Sequence, residues 1–345
     1  SSYGVDLAFW GYDGYGYPDY LGTMTHTDAS WVQSEMNRGM RWQTENYFSY
    51  NQTFAEKHNV SVVLGQSAAR YRSRNIGGKD FDLFDLNPIH ANIGSATAAE
   101  TESILWGGIG DATHTSIASY FGRIDYNFAE RYMLQVTVRR DGSSHFGANN
   151  KWGVFPSFSL GWNVWNEPYL AKMKPEWFDV LKFRFSWGQN GNESIGDFRY
   201  RALMSGGQNY YFGGSYKPNM NDFTKPGENG GAMIYGTSPA AAANPDIKWE
   251  TSTQTDFGID MRFLNQRLSF GFDYYYKKTT DMLAEMPVPT YIGQSKPWGN
   301  LGSMENWGIE MELGWKDNIK DFSYWVNTNW SYSKNKLLDL GNASG

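Results

Sequence analysis

The feature that most constrains this chain is a strict alternation of apolar and polar residues, which recurs along most of its length. Over 132–138 the even positions are apolar: Tyr132, Leu134, Val136 and Val138. A second alternating stretch, 157–164, follows the polar, glycine-rich segment 141–155. Because successive side chains of a β-strand point to opposite faces, the two stretches predict a hairpin with one apolar and one polar face.

The same alternation can be counted elsewhere in the sequence. Clear examples lie at 118–128, 182–187, 256–263, 268–277, 307–315 and 322–333, and weaker ones near 3–9, 40–54 and 60–72. The pattern predicts about eleven strands, each of roughly the 9–11 residues that a tilted strand needs to cross a bilayer.

The links between these strands differ in length in a regular way. Short links occur at 127–130, 264–267 and 316–321, and long polar links near 73–116, 141–155, 190–251 and 279–304. A link of medium length, 166–181, contains Pro168 and Pro175 and is predicted to hold a helical turn. Short turns at one end and long loops at the other are typical of a transmembrane antiparallel β-barrel.

A soluble β-sandwich or propeller would also alternate, but its apolar face would carry mainly Val, Ile and Leu. Here Phe, Tyr and Trp dominate that face, and the chain contains 15 Trp, 23 Tyr and 21 Phe. Mean hydropathy is nevertheless −0.59, so the apolar residues are dispersed by alternation. Aromatic residues at strand ends favour a membrane interface, and the polar parity favours a hydrated lumen.

Composition excludes several classes of function. The formal net charge is −6 with no block of like charge, which argues against a nucleic-acid partner. The absence of cysteine excludes disulfides, thiolate zinc sites and cysteine nucleophiles. No metalloprotease, nucleophile-elbow or phosphate-loop motif is present, and the five histidines are scattered, so no enzyme is predicted.

Two groups of carboxylates are candidates for chemistry. Asp80, Asp82 and Asp85 lie close together in sequence and could bind a loop calcium ion, although no EF-hand pattern surrounds them. No other cofactor or metal is expected. Glu310 and Glu312 share one face of a strand and could imitate a paired-carboxylate site, but charges lining a wet lumen explain them better.

An aromatic segment near the amino terminus is the candidate for substrate contact. The segment 9–22 is treated as a loop and carries five aromatic residues: Trp10, Tyr12, Tyr15, Tyr17 and Tyr20. Asp13 and Asp19 lie beside them. Flat aromatic faces with acceptor oxygens suit a polyhydroxylated ligand. Aromatic side chains that pack on one another to stiffen the loop are an equal alternative.

Several long segments resemble the barrel region of SusC/RagA-type TonB-dependent outer-membrane transporters. The resemblance is carried by "SYFGRIDYNFAERYMLQVTVRRDGSSHFGANNKWGVFPSFSLGWNVWNE" at 119–167 and by "GNLGSMENWGIEMELGWK" at 299–316. It continues through 177–200 and 244–283, while 1–116 and 201–243 match more loosely. Together the matching segments cover at least half of the chain.

The resemblance implies a multi-pass barrel in the bacterial outer membrane, in contact with its lipid. Such a protein would import oligosaccharides or peptides with energy delivered through TonB, beneath a SusD-like surface lipoprotein that acts as a lid. A soluble or surface-attached glycan-binding β-protein is the alternative. Barrels of this type have roughly 22 strands and a plugged lumen. The whole chain is therefore expected to be about half of a barrel, with the plug and the last strands missing.

The resemblance also assigns the two faces of the predicted strands. The face with Tyr132 and Leu134 would meet lipid, and the long links would be extracellular loops, with Trp152 and Phe155 near the outer interface. Six polar residues are expected to face the lumen: Gln135, Thr137, Ser159, Asn163, Glu310 and Glu312.

Overall fold

In the computed structural model the described residues are 1–21, 25–27, 29–85, 87–97, 104–107, 113–202, 204–205, 210–212, 232–234, 236–289, 291 and 293–341. Among them are eleven long strands, numbered here in chain order. They are β1 Ser2–Gly16, β2 Trp31–Phe54, β3 His58–Phe81, β4 Thr113–Phe128, β5 Tyr132–Ser143, β6 Trp152–Asn163, β7 Phe178–Asn192, β8 Glu250–Phe263, β9 Leu268–Thr280, β10 Ser303–Ile319 and β11 Phe322–Asp339.

These strands form one antiparallel sheet in which each strand pairs with its neighbours in sequence. The short strand Ile104–Gly107 also pairs with β3, beyond the end of β4. Within the described ranges the path runs from β1 to β11 without closing. The structure therefore confirms the predicted all-β, antiparallel arrangement.

Smaller elements lie in the links. Paired short strands are Asp19–Leu21 with Thr25–Thr27, Met204–Ser205 with Ser238–Pro239, Tyr210–Phe212 with Ala232–Ile234, and Leu283–Glu285 with Trp298–Asn300. Short 3-10 helices span Pro88–His90, Ile93–Ser95, Val164–Asn166 and Ala171–Met173, so the link after β6 does hold helical turns. In the part of the chain that is described, no helix is long and apolar enough to span a membrane.

The strands are longer than the predicted 9–11 residues. Strands β2 and β3 each have 24 residues, which is about 80 Å at roughly 3.3 Å per residue. On β3 the long-link end carries polar residues on both faces, as at Arg72, Ser73 and Arg74, so hydrogen-bonded pairing continues where the apolar alternation stops. The four predicted long links are correspondingly shorter, at 82–112, 144–151, 193–249 and 281–302, and a further link, 17–30, joins β1 to β2.

The two faces of the sheet differ as the alternation predicts. On β5 the even-numbered apolar side chains are exposed, from 37% at Leu134 to 46% at Tyr132. The odd-numbered Gln135 and Thr137 on the opposite face are partly buried. At the short-link end, aromatic rings from different strands stack on the apolar face, with centroids 4.6 Å apart for Phe178 and Phe263. An aromatic band therefore rims that end of the sheet.

A compact hydrophobic core lies at the opposite, long-link end. Its buried members are Phe146, Phe155, Ile195, Ile247 and Trp249, and they come from β6, from the link before it and from the link after β7. The Trp249 ring lies 5.0 Å from Phe146 and 5.5 Å from Phe155, and its indole NH donates to the Lys151 carbonyl. This core fixes three segments that are distant in sequence against the end of the sheet.

The core corrects the prediction that Phe155 lies at a lipid interface. Phe155 belongs to the odd, polar-face parity of β6 and is only 8% exposed. It is held between strands and loops because Trp249 covers it from a link almost one hundred residues away in sequence. Trp152, on the even parity, is 40% exposed and packs against Tyr120 on the apolar face.

Truncation of a core residue should loosen the loops locally. We expect Ile247→Ala, at a side chain with 0% exposure, to lower the opening free energy of this core by about 2–5 kcal/mol through lost burial and a residual cavity. Hydrogen exchange on the purified full-length protein should then show faster exchange in 144–151 and 244–249.

The matched control is Ile89→Ala, because Ile89 is 85% exposed in another link. It should leave exchange in 144–151 unchanged. Equal exchange in the Ile247→Ala variant and the unaltered protein would contradict the assigned role of the core.

Candidate functional site

The polar face of the sheet holds an open cavity of about 820 Å³. Residues of seven consecutive strands, from β2 to β8, line it near the short-link end. Polar side chains line it because register pairing brings the polar parities of these strands to one side, as for Asp125 opposite Gln135 and Gln135 opposite Ser159. A hydrated ligand would meet hydroxyl, amide and charged groups here.

Arg184 of β7 makes the most extensive charged contact on this face. Its Nε and Nη2 donate to the two carboxylate oxygens of Asp260 on β8, at 2.8 and 3.0 Å. Its Nη2 also donates to Asp273 Oδ2 on β9 at 3.0 Å. One guanidinium thus links three strands, with the bidentate geometry that favours arginine over lysine.

Gly258 makes this contact geometrically possible. It stands in register between Arg184 and Asp273, on the strand that the guanidinium crosses. A Cβ at Gly258 would lie 2.4 Å from Asp273 Oδ1 and 2.7 Å from Arg184 Cζ. The missing side chain is therefore the space through which Arg184 reaches the third strand.

The contact of Arg184 with Asp260 and Asp273 is called the charged ladder here. A second polar group lies next to it. Asp256 accepts hydrogen bonds from Ser186 Oγ at 2.9 Å and from Gln254 Nε2 at 2.8 Å. Ser186 stands opposite Ser159 in the register of β6 and β7. The two hydrogen bonds hold polar side chains of β7 and β8 in place without requiring a ligand.

The residues predicted to face the lumen lie on this polar face, because they occupy the polar set of alternating positions in their strands. Gln135 and Ser159 line the cavity itself. Thr137 pairs with Ser157, one step farther along the same face. Asn163 lies at the short-link rim, where its side-chain amide donates to the Glu130 carbonyl at 2.7 Å.

Glu310 and Glu312 lie on the same face but outside the cavity. Glu310 stands in register with Asp273, and Glu312 with Gly271. Both are exposed. Charged side chains therefore run across the polar face from Arg184 on β7 to Glu310 on β10.

The five aromatic residues near the amino terminus do not form one loop patch, which corrects that expectation. Trp10, Tyr12 and Tyr15 lie within β1, because pairing with β2 extends the strand to Gly16. Strand alternation then separates them: Trp10 and Tyr12 are on one face and Tyr15 is on the other. The side chain of Tyr20 lies outside the described residues.

Tyr17, which follows β1, is directed into packed structure. Its ring lies 5.4 Å from that of Tyr15, and its hydroxyl is buried without a hydrogen-bond partner among the described residues. Burial raises the pKa of the Tyr17 hydroxyl, and Tyr15 and Asp85 add to the effect. For Tyr15 and Tyr17, packing of the aromatic rings on each other describes the contacts better than a shared ligand surface.

The three aspartates proposed for calcium are separated by their contacts. Asp80 accepts from the Phe81 amide, while Asp85 contacts His90 Nδ1 at 2.6 Å. The Asp82 carbonyl accepts from the Thr97 amide. Across the described part of the chain, no cluster of three or more His, Cys, Asp or Glu side chains has a geometry that could hold a metal ion.

Sequence patterns did not predict the charged ladder or the hydrophobic core at the long-link end. Opposite charges on the polar parities of 182–187, 256–263 and 268–277 were a signal for the ladder, but the register that joins them is not encoded locally. For the core, the signal was an isolated Phe146 inside an otherwise polar link.

Comparison with known proteins agrees with this architecture. The family described as TonB dependent receptor-like, beta-barrel, matches residues 1–344. TonB-dependent receptor P39 of Formosa agariphila is 32% identical over 317 residues, which is 91% of this chain and 28% of that protein. TonB-dependent receptor SusC of Bacteroides thetaiotaomicron is 31% identical over 300 residues, 85% of this chain and 27% of that protein.

Solved structures agree at the level of the fold. The RagAB peptide importer in its closed-closed state superposes with a TM-score of 0.80 over 99% of this chain and 34% of that chain, at 24% identity. The chain thus spans about a third or less of the relatives that it matches.

The match along nearly the whole chain, together with the sheet order and its two faces, confirms the SusC/RagA-type resemblance. The chain belongs to the TonB-dependent receptor-like β-barrel family.

Proposed function

We propose that this chain is part of the wall of an outer-membrane active transporter that imports glycan oligomers or peptides. The observation that carries the proposal is the two-faced sheet of consecutive antiparallel strands, apolar on one side and polar on the other. In a bilayer the backbone must be fully hydrogen-bonded, and barrel strands meet this requirement while showing lipid one face only.

The apolar face supports the part of the proposal that concerns lipid. Its exposed residues on β5 and β6 include Val136, Phe158 and Leu160 along the strands and Tyr132 at the short-link end. A soluble protein would leave no such continuous apolar surface in water. The polar groups of the opposite face suit cargo with many hydrogen-bonding groups, which glycans and peptides share.

The partners follow from the relatives and from the links. One solved relative is named a peptide importer, RagAB, and SusC is named a TonB-dependent receptor. We infer that the full-length protein receives energy through TonB and works beneath a SusD-like lipoprotein seated over the long links. In this role the chain makes and breaks no covalent bond.

Uptake by cells tests the function. Deleting the full-length gene should abolish uptake of one labelled substrate from a panel of oligosaccharides and peptides, and a protonophore should have the same effect on unaltered cells. The panel also decides between glycan and peptide cargo. Recovery of the full-length protein from the soluble fraction without detergent would instead favour a glycan-binding β-protein.

Two adjacent residues test which face meets lipid. We expect Val136→Arg to destabilise the full-length barrel in liposomes by about 2–4 kcal/mol, because its outward side chain would place a charge in hydrocarbon. Gln135→Arg, one residue away on the polar face, should change stability by less than about 1 kcal/mol. Urea unfolding measures both, and equal effects would refute the assignment of faces.

Two glycines test the charged ladder. Gly258→Ala should destabilise the barrel by about 1–3 kcal/mol, because the new methyl group displaces the Arg184 guanidinium from Asp273. Gly271→Ala on the next strand is the control, since its nearest neighbour, Glu312 Cβ, lies 3.7 Å from the added carbon. Urea unfolding should separate the two variants, and it would argue against the ladder if they behaved alike.

A further inference from the structure

The outward face of β3 changes abruptly from apolar to cationic. Starting from the short-link end, its even positions read Val60, Val62, Leu64, Gln66 and Ala68, followed by Arg70, Arg72 and Arg74. The first arginine lies six residues beyond Leu64, about 20 Å along the strand at roughly 3.3 Å per residue. The arginines therefore lie beyond the aliphatic stretch proposed to lie in hydrocarbon, separated from Leu64 by Gln66 and Ala68.

Neighbouring strands contribute to the same patch. Arg38 of β2 stands directly opposite Arg74, and Met40 stands opposite Arg72. On β1, Phe9 pairs with Arg38 and Leu7 with Met40. The side chains of Arg38, Arg72 and Arg74 are all exposed and lie on the same face of the sheet as Val62 and Leu64. We call this set the basic patch: Leu7, Phe9, Arg38, Met40, Arg72 and Arg74.

The basic patch encloses a shallow cavity of about 360 Å³. Its apolar members are themselves open to the surroundings, with Leu7 62%, Phe9 71% and Met40 43% exposed. An apolar floor beside three guanidinium groups is complementary to a molecule with a hydrocarbon part and an anionic head.

We propose that the basic patch binds a membrane lipid whose head group carries a phosphate. The phosphate lies among Arg38, Arg72 and Arg74, and an acyl chain runs along Leu7, Phe9 and Met40 toward the apolar half of the face. Arginine suits this position because its planar fork binds phosphate oxygens in pairs while its stem stays in apolar surroundings. The inference rests on the proposed membrane location of the sheet.

Native mass spectrometry of the full-length receptor tests the site. Detergent micelles are supplied with monophosphorylated lipid A or with its dephosphorylated form, and retained lipid is counted per receptor. We expect retention of the phosphorylated form, weakened about fivefold by Arg38→Gln and about a hundredfold when Arg72→Gln and Arg74→Gln are added.

Arg41→Gln is the matched control, since Arg41 lies on the same strand and is exposed on the opposite face. It should leave retention unchanged. Equal retention of both lipid forms, or equal retention by the triple variant and the unaltered receptor, would overturn the proposal. Displacement of the lipid by an equal concentration of inorganic phosphate would also overturn it, by showing an anion site without lipid preference.

The test separates this proposal from the transporter proposal. A receptor that inserts into liposomes and transports cargo but retains lipid independently of the arginines would refute the basic patch alone. A receptor that fails to insert into liposomes would refute the membrane location on which both depend.

Discussion

The continuous ladder of backbone hydrogen bonds between consecutive strands is the interaction on which the rest of this structure depends. It satisfies the peptide groups of each inner strand on both sides, which is the requirement for a chain in contact with hydrocarbon. It also forces side chains to alternate between faces, so a single backbone interaction divides the residues into an apolar and a polar surface. Both proposed surfaces, toward lipid and toward cargo, follow from that division.

On the polar face the register of the backbone hydrogen bonds also decides which side chains come into contact. Arg184 and Asp273 are 89 residues apart in sequence, yet they bond across the strand between them. The contact depends on the absence of a side chain at Gly258. A shift of one residue in this register would move Arg184 to face a different neighbour and would close the passage.

At the long-link end, hydrophobic packing and electrostatic interactions act in addition to the backbone hydrogen bonds. The buried core around Ile247 and Trp249 holds the links against the sheet by hydrophobic packing. On the outside, the apolar side chains of β3 give way to arginines, and the basic patch supplies charge at the proposed boundary between hydrocarbon and head groups. This end of the protein thus combines the sheet, a core that packs the links against it and the proposed lipid-binding patch.

The sequence by itself determined the strand class, the order of the strands along the chain and the face of the residues in the clearly alternating stretches, because a period of two is a local property. It correctly separated Gln135 from Val136 before any partner strand was known. Only the tertiary structure decided where pairing stops, since β3 continues through residues with no apolar alternation. It also decided that Phe155 is buried and that Arg184 joins three strands, because those contacts come from segments far away in sequence.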